Sequence, residues 1–248
     1  MSKSINIFGF HSIESLLRTN PESVIKVFIL NNRKDKRVNE LVNTLTNQKI
    51  AFSTTDKNDL DRIAKGEIHQ GVISEVILPP LLNEESLFKS IIDNSLKPLI
   101  LVLDSIQDPR NLGACLRSAN AAGVDYVVIN KDGSAPINAV VHKTSAGAIN
   151  SLKIFHVTNL SRTIKEMQKR GIWVIGLDGN SKSTIYDVDL TDATAVVMGS
   201  EGKGIRQLIK KTCDQIVTIP MSGNIESLNV SVATGITLFE SKRQRESS

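Results

Sequence analysis

The sequence predicts an α/β protein whose larger part is a mostly parallel sheet. Three observations carry that prediction. Strand-like and helix-like segments alternate from one end of the chain to the other. The apolar run Leu99–Leu103 and the runs that follow it have no polar alternation, as in strands covered on both faces. The prolines at Pro79-Pro80 and Lys97-Pro98 interrupt the pattern. They divide the chain into a small α/β domain at 1–78, a linker at 79–98 and a larger domain at 99–248.

In the first part, Ser23–Leu30 reads as a strand. Lys36–Gln48 reads as a helix, because Val38, Leu41, Val42 and Leu45 recur at helical spacing. Ile50–Ser53 is a short strand, Lys57–Lys65 a helix capped by Asp56, and Gln70–Leu78 another strand. Asn83–Asn94 is a connecting helix. In the larger part, strands are expected at Leu99–Leu103, Tyr126–Ile129, Leu152–Val157, Ile172–Leu177, Ala195–Met198 and Ile216–Ile219. Helices fall between them at Asn111–Ala122, Asn138–Ile149, Leu160–Arg170 and Ile205–Thr212. A last helix runs from about Leu228 to Arg243.

Composition narrows the function classes. With 248 residues, 40% of them apolar, the chain can bury a real core. A net charge of +4 permits a polyanionic partner without requiring one. Cys115 and Cys213 form no CxxC pair, which argues against structural zinc and for buried thiols in a reducing compartment. The four histidines show no ligand spacing, so no metal is expected. No apolar run approaches the length of a membrane span and no secretory signal is visible, so a soluble, cytoplasmic protein is expected.

In open parallel α/β sheets, ligands bind outside the carboxyl ends of the strands. Three of those ends are unusual. After Leu99–Leu103 comes a polar helix start with Asn111, followed by Arg117 among small residues. A capped helix with a solvated arginine explains this equally well. Asn111 and Arg117 are six residues apart, not on one helical line, and would share a site only if Asn111 lay in the entering loop. After Ala195–Met198 comes Gly199-Ser-Glu-Gly-Lys-Gly204, which matches neither phosphate-binding fingerprint. A bare glycine turn is a comparable reading. After Ile216–Ile219 comes Pro220-Met-Ser-Gly-Asn-Ile-Glu-Ser-Leu-Asn-Val-Ser-Val-Ala233, a mixture of small polar and apolar residues. Taken jointly, the three ends point to a pocket lined by backbone.

These residues resemble the three motifs of the SpoU (TrmH-like) branch of the SPOUT methyltransferases. The motifs are Asn111-x-Gly113-x-x-x-Arg117, Gly199-Ser-Glu-Gly-x-Gly204, and Ile219-Pro-Met-x-Gly with Ser227-Leu-Asn-Val-Ser-Val-Ala233. The likeness spans roughly 99–245. Ile7-Phe-Gly-Phe-His11 and His69-Gln-Gly71 resemble the small ribosomal-protein-like RNA-binding domain fused to some members. The whole chain is similar to members that methylate a guanosine ribose in 23S rRNA, at the loop that holds peptidyl-tRNA.

The resemblance implies a deep trefoil knot in the 99–248 domain, a homodimer formed through it, and S-adenosylmethionine as cofactor. It implies cofactor contacts at Gly199, Ile219 and Leu228, with Met198, Gly202 and Met221 close by. It implies Arg117 as the catalytic residue, near the partner subunit's cofactor, supported by Asn111, Ser227 and Asn229. Glu201 would organise Arg117 or the motif loops. In the N-terminal part, Asn31-Asn-Arg-Lys-Asp-Lys-Arg37 puts basic residues at a strand end. Arg33 and Lys34 are candidate phosphate contacts there. His69 and His11 lie in family-like segments, where an RNA contact and a structural hydrogen bond are both available roles. The competing readings are a tRNA guanosine 2′-O-methyltransferase, a methyltransferase for another rRNA site, and an RNA-binding protein without activity. About 98 residues before the catalytic domain favour rRNA over tRNA.

Overall fold

The computed structural model describes residues 4–33, 35–77, 82–94, 96–224 and 227–247. They fall into two compact units, one of residues 1–80 with 137–151 and one of 81–136 with 152–248.

The first unit is built on a four-stranded sheet of β1 (Ser4–Phe8), β2 (Val24–Leu30), β3 (Phe52–Thr55) and β4 (Val72–Ile77). The strand order is β1-β4-β2-β3. It carries α1 (Phe10–Thr19), α2 (Lys36–Asn47) and α3 (Lys57–Ala64). Asp56 caps α3 by accepting from the Asp59 N–H at 2.8 Å, as its position in the sequence predicts. Ile7, Phe10, Val27, Leu41 and Val76 meet in one core, and Phe8, Leu60 and Ile73 in a second on the other face of the sheet.

Two features of this unit were not read from the sequence. The sequence reading assigned no element before Ser23, yet β1 and α1 occupy that stretch. The sheet of this unit is mixed, since β4 runs antiparallel to both β1 and β2 and only β2–β3 is parallel. A further shift concerns the helix expected over Asn138–Ile149, which ends early as α6 (Ala139–Thr144). Ala146 and Gly147 both take left-handed backbone angles, φ 50° and 85°, and break it. A Cβ at Gly147 would lie 2.3 Å from the Ser15 Cβ, so only glycine permits this approach.

The second unit holds six strands: β5 (Leu99–Asp104), β6 (Tyr126–Asn130), β7 (Lys153–Val157), β8 (Trp173–Leu177), β9 (Thr194–Gly199) and β10 (Gln215–Val217). Their order is β10-β8-β9-β5-β6-β7 and every pair is parallel. β5 and β9 are buried along their whole length, which is why they read as unbroken apolar runs. The helices are α4 (Glu84–Asn94), α5 (Pro109–Ala122), α7 (Leu160–Gln168), α8 (Gln207–Thr212) and α9 (Val230–Glu246). Leu87 and Ile91 of α4 lie in the core with Ile100, Phe155 and Ile164, so part of the stretch at 79–98 packs with this unit. At the far end of α9, Arg245 donates to the carbonyls of Leu190 (2.9 Å), Lys97 (2.8 Å) and Asp192. Those bonds tie the helix to the entrance of β5. No helix among the described residues is long and apolar enough to cross a membrane.

This topology fixes where a ligand can sit. From β5 the chain proceeds through α5 to β6 on one side. From β9 it proceeds through α8 to β10 on the other. The crevice of an open α/β sheet opens where connections diverge in this way, outside the carboxyl ends of β5 and β9. Asp104 and Gly199, the last residues of these neighbouring strands, are partners in register.

Candidate active site

A pocket of about 200 Å³ opens at that crevice, lined by Ile106, Asp108, Asn111, Glu201, Lys203 and Val230 among others. Three segments meet there. Asp108 caps α5 by accepting from the Arg110 N–H at 2.8 Å, and Pro109 fills the first turn, where its missing donor costs nothing. Asn111 therefore sits in the first turn of α5, not in the entering loop. It still reaches the site, because the helix start points at the crevice. Its Nδ2 donates to Glu201 Oε2 at 2.8 Å, and its Oδ1 accepts from Asn229 Nδ2 at 3.1 Å. The same Asn229 Nδ2 lies 3.1 Å from Glu201 Oε1. Asn229 also caps α9, its Oδ1 accepting from the Ser231 N–H at 2.9 Å. One side chain of the third motif thus starts a helix and joins the first and second motifs.

Glu201 stands at the tip of a tight turn. Ser200 and Gly204 exchange two backbone hydrogen bonds, at 3.1 and 2.8 Å, with Gly202 and Gly204 left-handed. The turn folds back onto Gly199 so closely that a Cβ there would lie 2.0 Å from the Gly204 carbonyl carbon. The glycines serve this fold-back first, and it presents Glu201 to the two asparagines. Sequence reasoning offered Glu201 a choice between Arg117 and the motif loops. The contacts are with Asn111 and Asn229, at the helix starts of the first and third motifs.

Arg117 is not brought into this network. It lies about 120° around α5 from Asn111 at 3.6 residues per turn. It is exposed and has no hydrogen-bond or ion-pair partner among the described residues. Ser227 is also exposed and unpartnered among them, and Leu228 is half-buried. Met198 and Gly199 are buried, whereas Gly202 and Met221 are exposed. Ile219 is half-buried but does not end a strand: β10 stops at Val217, and Thr218 makes only an isolated bridge to Thr184. The turn expected over 222–226 is described only as far as Asn224.

The residues from Ile219 to Asn224 suit an adenosyl ligand. Among the described residues they make no backbone–backbone hydrogen bond. Apart from the Ile219 carbonyl, which accepts from Thr218 Oγ1 at 3.3 Å, and Pro220, which has no N–H, their backbone groups have no partner among the described residues. Ile219 and Met221 add apolar side chains, and an adenine needs that pairing of polar edge and apolar face.

In the first unit, a cleft of about 700 Å³ is lined by Phe10, Arg33, Arg37, Lys57, His69 and others. Arg33 stacks on the Phe10 ring and donates to Asp35 and to the Gln70 carbonyl. Arg37 makes a fork–fork pair with Glu14, at 2.8 and 2.9 Å, which holds that carboxyl below its usual range. His69 Nδ1 accepts from the Gly71 N–H at 3.0 Å, so Nε2 carries the proton toward Asp61, also 3.0 Å away. Arg33 and His69 are thus committed to the fold of the cleft, and Lys34 lies outside the described residues. Lys57, which the sequence reading counted only as the start of a helix, lines the cleft, is exposed and has no partner among the described residues. A basic residue in the first turn of a helix, against the helix dipole, was the signal that could have found it.

Comparison with known proteins agrees with both units. Residues 98–239 match the SpoU rRNA Methylase family, and residues 6–80 match RNA 2′-O ribose methyltransferase substrate binding. A 23S rRNA (guanosine-2′-O-)-methyltransferase, RlmB, of Haemophilus ducreyi is 46% identical over 98% of this chain and 98% of its own. The SpoU methyltransferase AviRb of Streptomyces viridochromogenes, solved with AdoMet, has the same fold. Its TM-score is 0.81 at 22% identity, over 99% of this chain and 92% of that one. A TrmH/SpoU tRNA modifying enzyme of A. aeolicus, 32% identical with a TM-score of 0.57, covers only 66% of this chain and 85% of its own. The chain belongs to the SpoU rRNA methylase family.

Proposed function

We propose that this chain is an S-adenosylmethionine-dependent enzyme that methylates the ribose 2′-oxygen of a guanosine in 23S rRNA, at the loop that holds peptidyl-tRNA. The observation that carries this reading is the Asn111–Glu201–Asn229 network, which joins all three motifs at the β5/β9 crevice. The full-length likeness to a 23S rRNA enzyme supports rRNA over tRNA. The tRNA enzyme matches only about two thirds of the chain.

When bound, S-adenosylmethionine supplies an electrophilic methyl group on its sulfonium. The chain's own residues do the rest. Gly199, Ile219 and Leu228 hold the cofactor largely through backbone groups, with Met198, Gly202 and Met221 beside them. Asn111, Ser227 and Asn229 orient the ribose, and alignment of this kind contributes several kcal/mol to a rate. Arg117 stabilises the oxygen as it loses its proton. A guanidinium keeps its proton at neutral pH, so it is a poor base and a good counter-charge. The reading includes the trefoil knot that draws 199–204 and 219–229 together. It also includes a cytoplasmic location and a homodimer. Val232, Ile236 and Phe239 recur at helical spacing on α9, with Val232 and Phe239 about half exposed. That stripe suits a helix covered by a second copy.

The test is a map of 2′-O-methylation on total RNA from cells lacking the protein. Loss at one 23S guanosine is expected. Loss confined to tRNA, or at a different rRNA site, would replace the substrate. No loss at any site would return the chain to RNA binding without catalysis.

For the first unit, Lys57 is the phosphate contact to test. Lys57→Ala is expected to weaken binding of a 23S rRNA fragment and to reduce the slope of log K against log salt by about one. Arg33→Ala should weaken binding too, but with a lower melting temperature, because it loses its contacts to Asp35 and Gln70. Fluorescence anisotropy across a salt series reads both. An unchanged slope in Lys57→Ala would remove it from the interface.

A further inference from the structure

Asp104 is the last residue of β5 and has no solvent exposure. A carboxylate taken fully out of water needs compensating donors. Two of its three donors come from one residue of the segment after β9. Oδ2 accepts from the Arg206 backbone N–H at 2.9 Å, and Oδ1 accepts from Arg206 Nε at 2.7 Å. Arg206 itself is about half exposed, with a side-chain value of 55% against 0% for Asp104. The arrangement is lopsided. A surface arginine reaches down to a buried acid, and its backbone is captured with it.

The surroundings show that this pair closes one end of a clamp. Ser105, next to Asp104, takes a left-handed φ of 64°, rare outside glycine, asparagine and aspartate. It is held there by its N–H to Asn130 Oδ1 at 2.8 Å and by its hydroxyl to Asp104 at 3.2 Å. The chain then turns into Ile106 and Asp108, which line the pocket. On the other strand, the 200–204 turn is fixed at its tip, where Glu201 meets Asn111 and Asn229. Its base, at Ile205 and Arg206, is fixed by Asp104. A turn containing three glycines within six residues has little stiffness of its own. These two anchors supply it.

We propose that Asp104 and Arg206 are positioning residues that hold the 199–206 segment in the conformation that receives S-adenosylmethionine. The proposal rests on the reading of this crevice as the cofactor site. Neither residue touches the reacting atoms. Asp104 acts through Arg206, and Arg206 acts through the backbone of the glycine turn. Without the pair, the turn samples conformations in which its backbone groups no longer face the ligand. Affinity then falls by the fraction of the competent state that is lost.

The test is calorimetric titration of S-adenosylmethionine into the wild type, Arg206→Ala, Arg206→Lys and Asp104→Asn, with the melting temperature of each. In Arg206→Ala the Kd should rise about tenfold, the scale of one charge-assisted hydrogen bond. Its melting temperature should fall by several degrees, because the fully buried Asp104 carboxylate then keeps only the Arg206 N–H and the Ser105 hydroxyl as donors, but the protein should stay folded at the titration temperature. Arg206→Lys, which restores charge without the fork, should recover part of the affinity. Asp104→Asn should weaken binding at least as much. If it fails to fold, the arginine series still decides. An unchanged Kd in Arg206→Ala overturns the proposal. So does a Kd that rises only together with a collapse in melting temperature and without rescue by lysine. A wild type that binds no S-adenosylmethionine overturns the cofactor reading of the site, and this proposal with it.

Discussion

Replacing Arg117 with alanine is expected to lower the single-turnover methylation rate by about 10³-fold, the scale of losing one preorganised charge from a developing oxyanion. Melting temperature and S-adenosylmethionine affinity should stay at wild-type values. The controls follow from the structure. Arg117 is exposed and unpartnered among the described residues, so its removal breaks no contact that holds the fold. Arg117 is on α5, which packs side by side with α9: the Cys115 Sγ and Thr234 Oγ1 atoms are 3.4 Å apart, and a Cβ on Gly235 would be 3.6 Å from Ser118 Oγ. The half-exposed Val232 and Phe239 of α9 belong to this helix pair. A second copy seated on that stripe would also cover α5. Arg117 would then serve the partner's crevice, since about 120° of helix separates it from its own Asn111. Mixed dimers test this directly. Arg117→Ala and Asn229→Ala are each expected to be inactive. If the arginine acts across the interface, subunits combined at random should recover about a quarter of wild-type activity, because half the dimers then hold one intact site. Recovery to that level without activity in either parent supports action in trans. Full activity in Arg117→Ala alone would remove it from the mechanism.

The sheet of the second unit was legible because its physics is simple. A strand buried on both faces has no choice but to be apolar throughout, and β5 and β9 announce themselves. The cap of α3 was legible for a similar reason: Asp56 satisfies a backbone donor within its own helix start. The first sheet was less readable. β1 is a short edge strand whose partner β4 lies some 70 residues away, and no local pattern encodes that pairing. The direction of β4 was equally hidden, since alternation says nothing of parallel or antiparallel neighbours. In the site, residue types were readable and assignments were not. Asn111, Glu201 and Asn229 were singled out by the likeness of their motifs to the family's, but their mutual bonds depend on a turn that folds back on Gly199. Asp104 and Arg206 were passed over because each has an ordinary local meaning, a polar strand end and a helix start. Only the β5–β9 register brings them together.

Between pH 7 and pH 4.5 the protein is expected to lose roughly 2–3 kcal/mol of folding stability through one residue, His142. The side chain lies in α6 and is 2% exposed. Neither ring nitrogen has a hydrogen-bond partner among the described residues. Burial pushes its pKa down from 6.5 to about 4, because the charged ring would lie in the core without compensation. The sign follows from the two states. Below pH 6.5 the unfolded chain takes up a proton that the folded chain refuses, so stability falls as pH falls. Below about pH 4 both states carry the proton and the loss levels off. Above pH 6.5 neither does, and the contribution is flat. His156 acts in the same direction, since burial lowers its pKa also and its Nε2 is unpartnered. The carboxylates, such as Glu14, add their own acid slope. A difference measurement cancels both. In His142→Leu the titrating group is gone, and an orphaned donor and acceptor leave the core with it. Urea unfolding of wild type and variant at pH 7 and 4.5 should therefore show similar or greater stability for the variant at pH 7. Between the two pH values, the variant should lose roughly 2–3 kcal/mol less than wild type. Parallel losses in the two proteins would mean that His142 is protonated within the fold. The imidazolium would then have a partner in solution, and α6 would be more open than its burial implies.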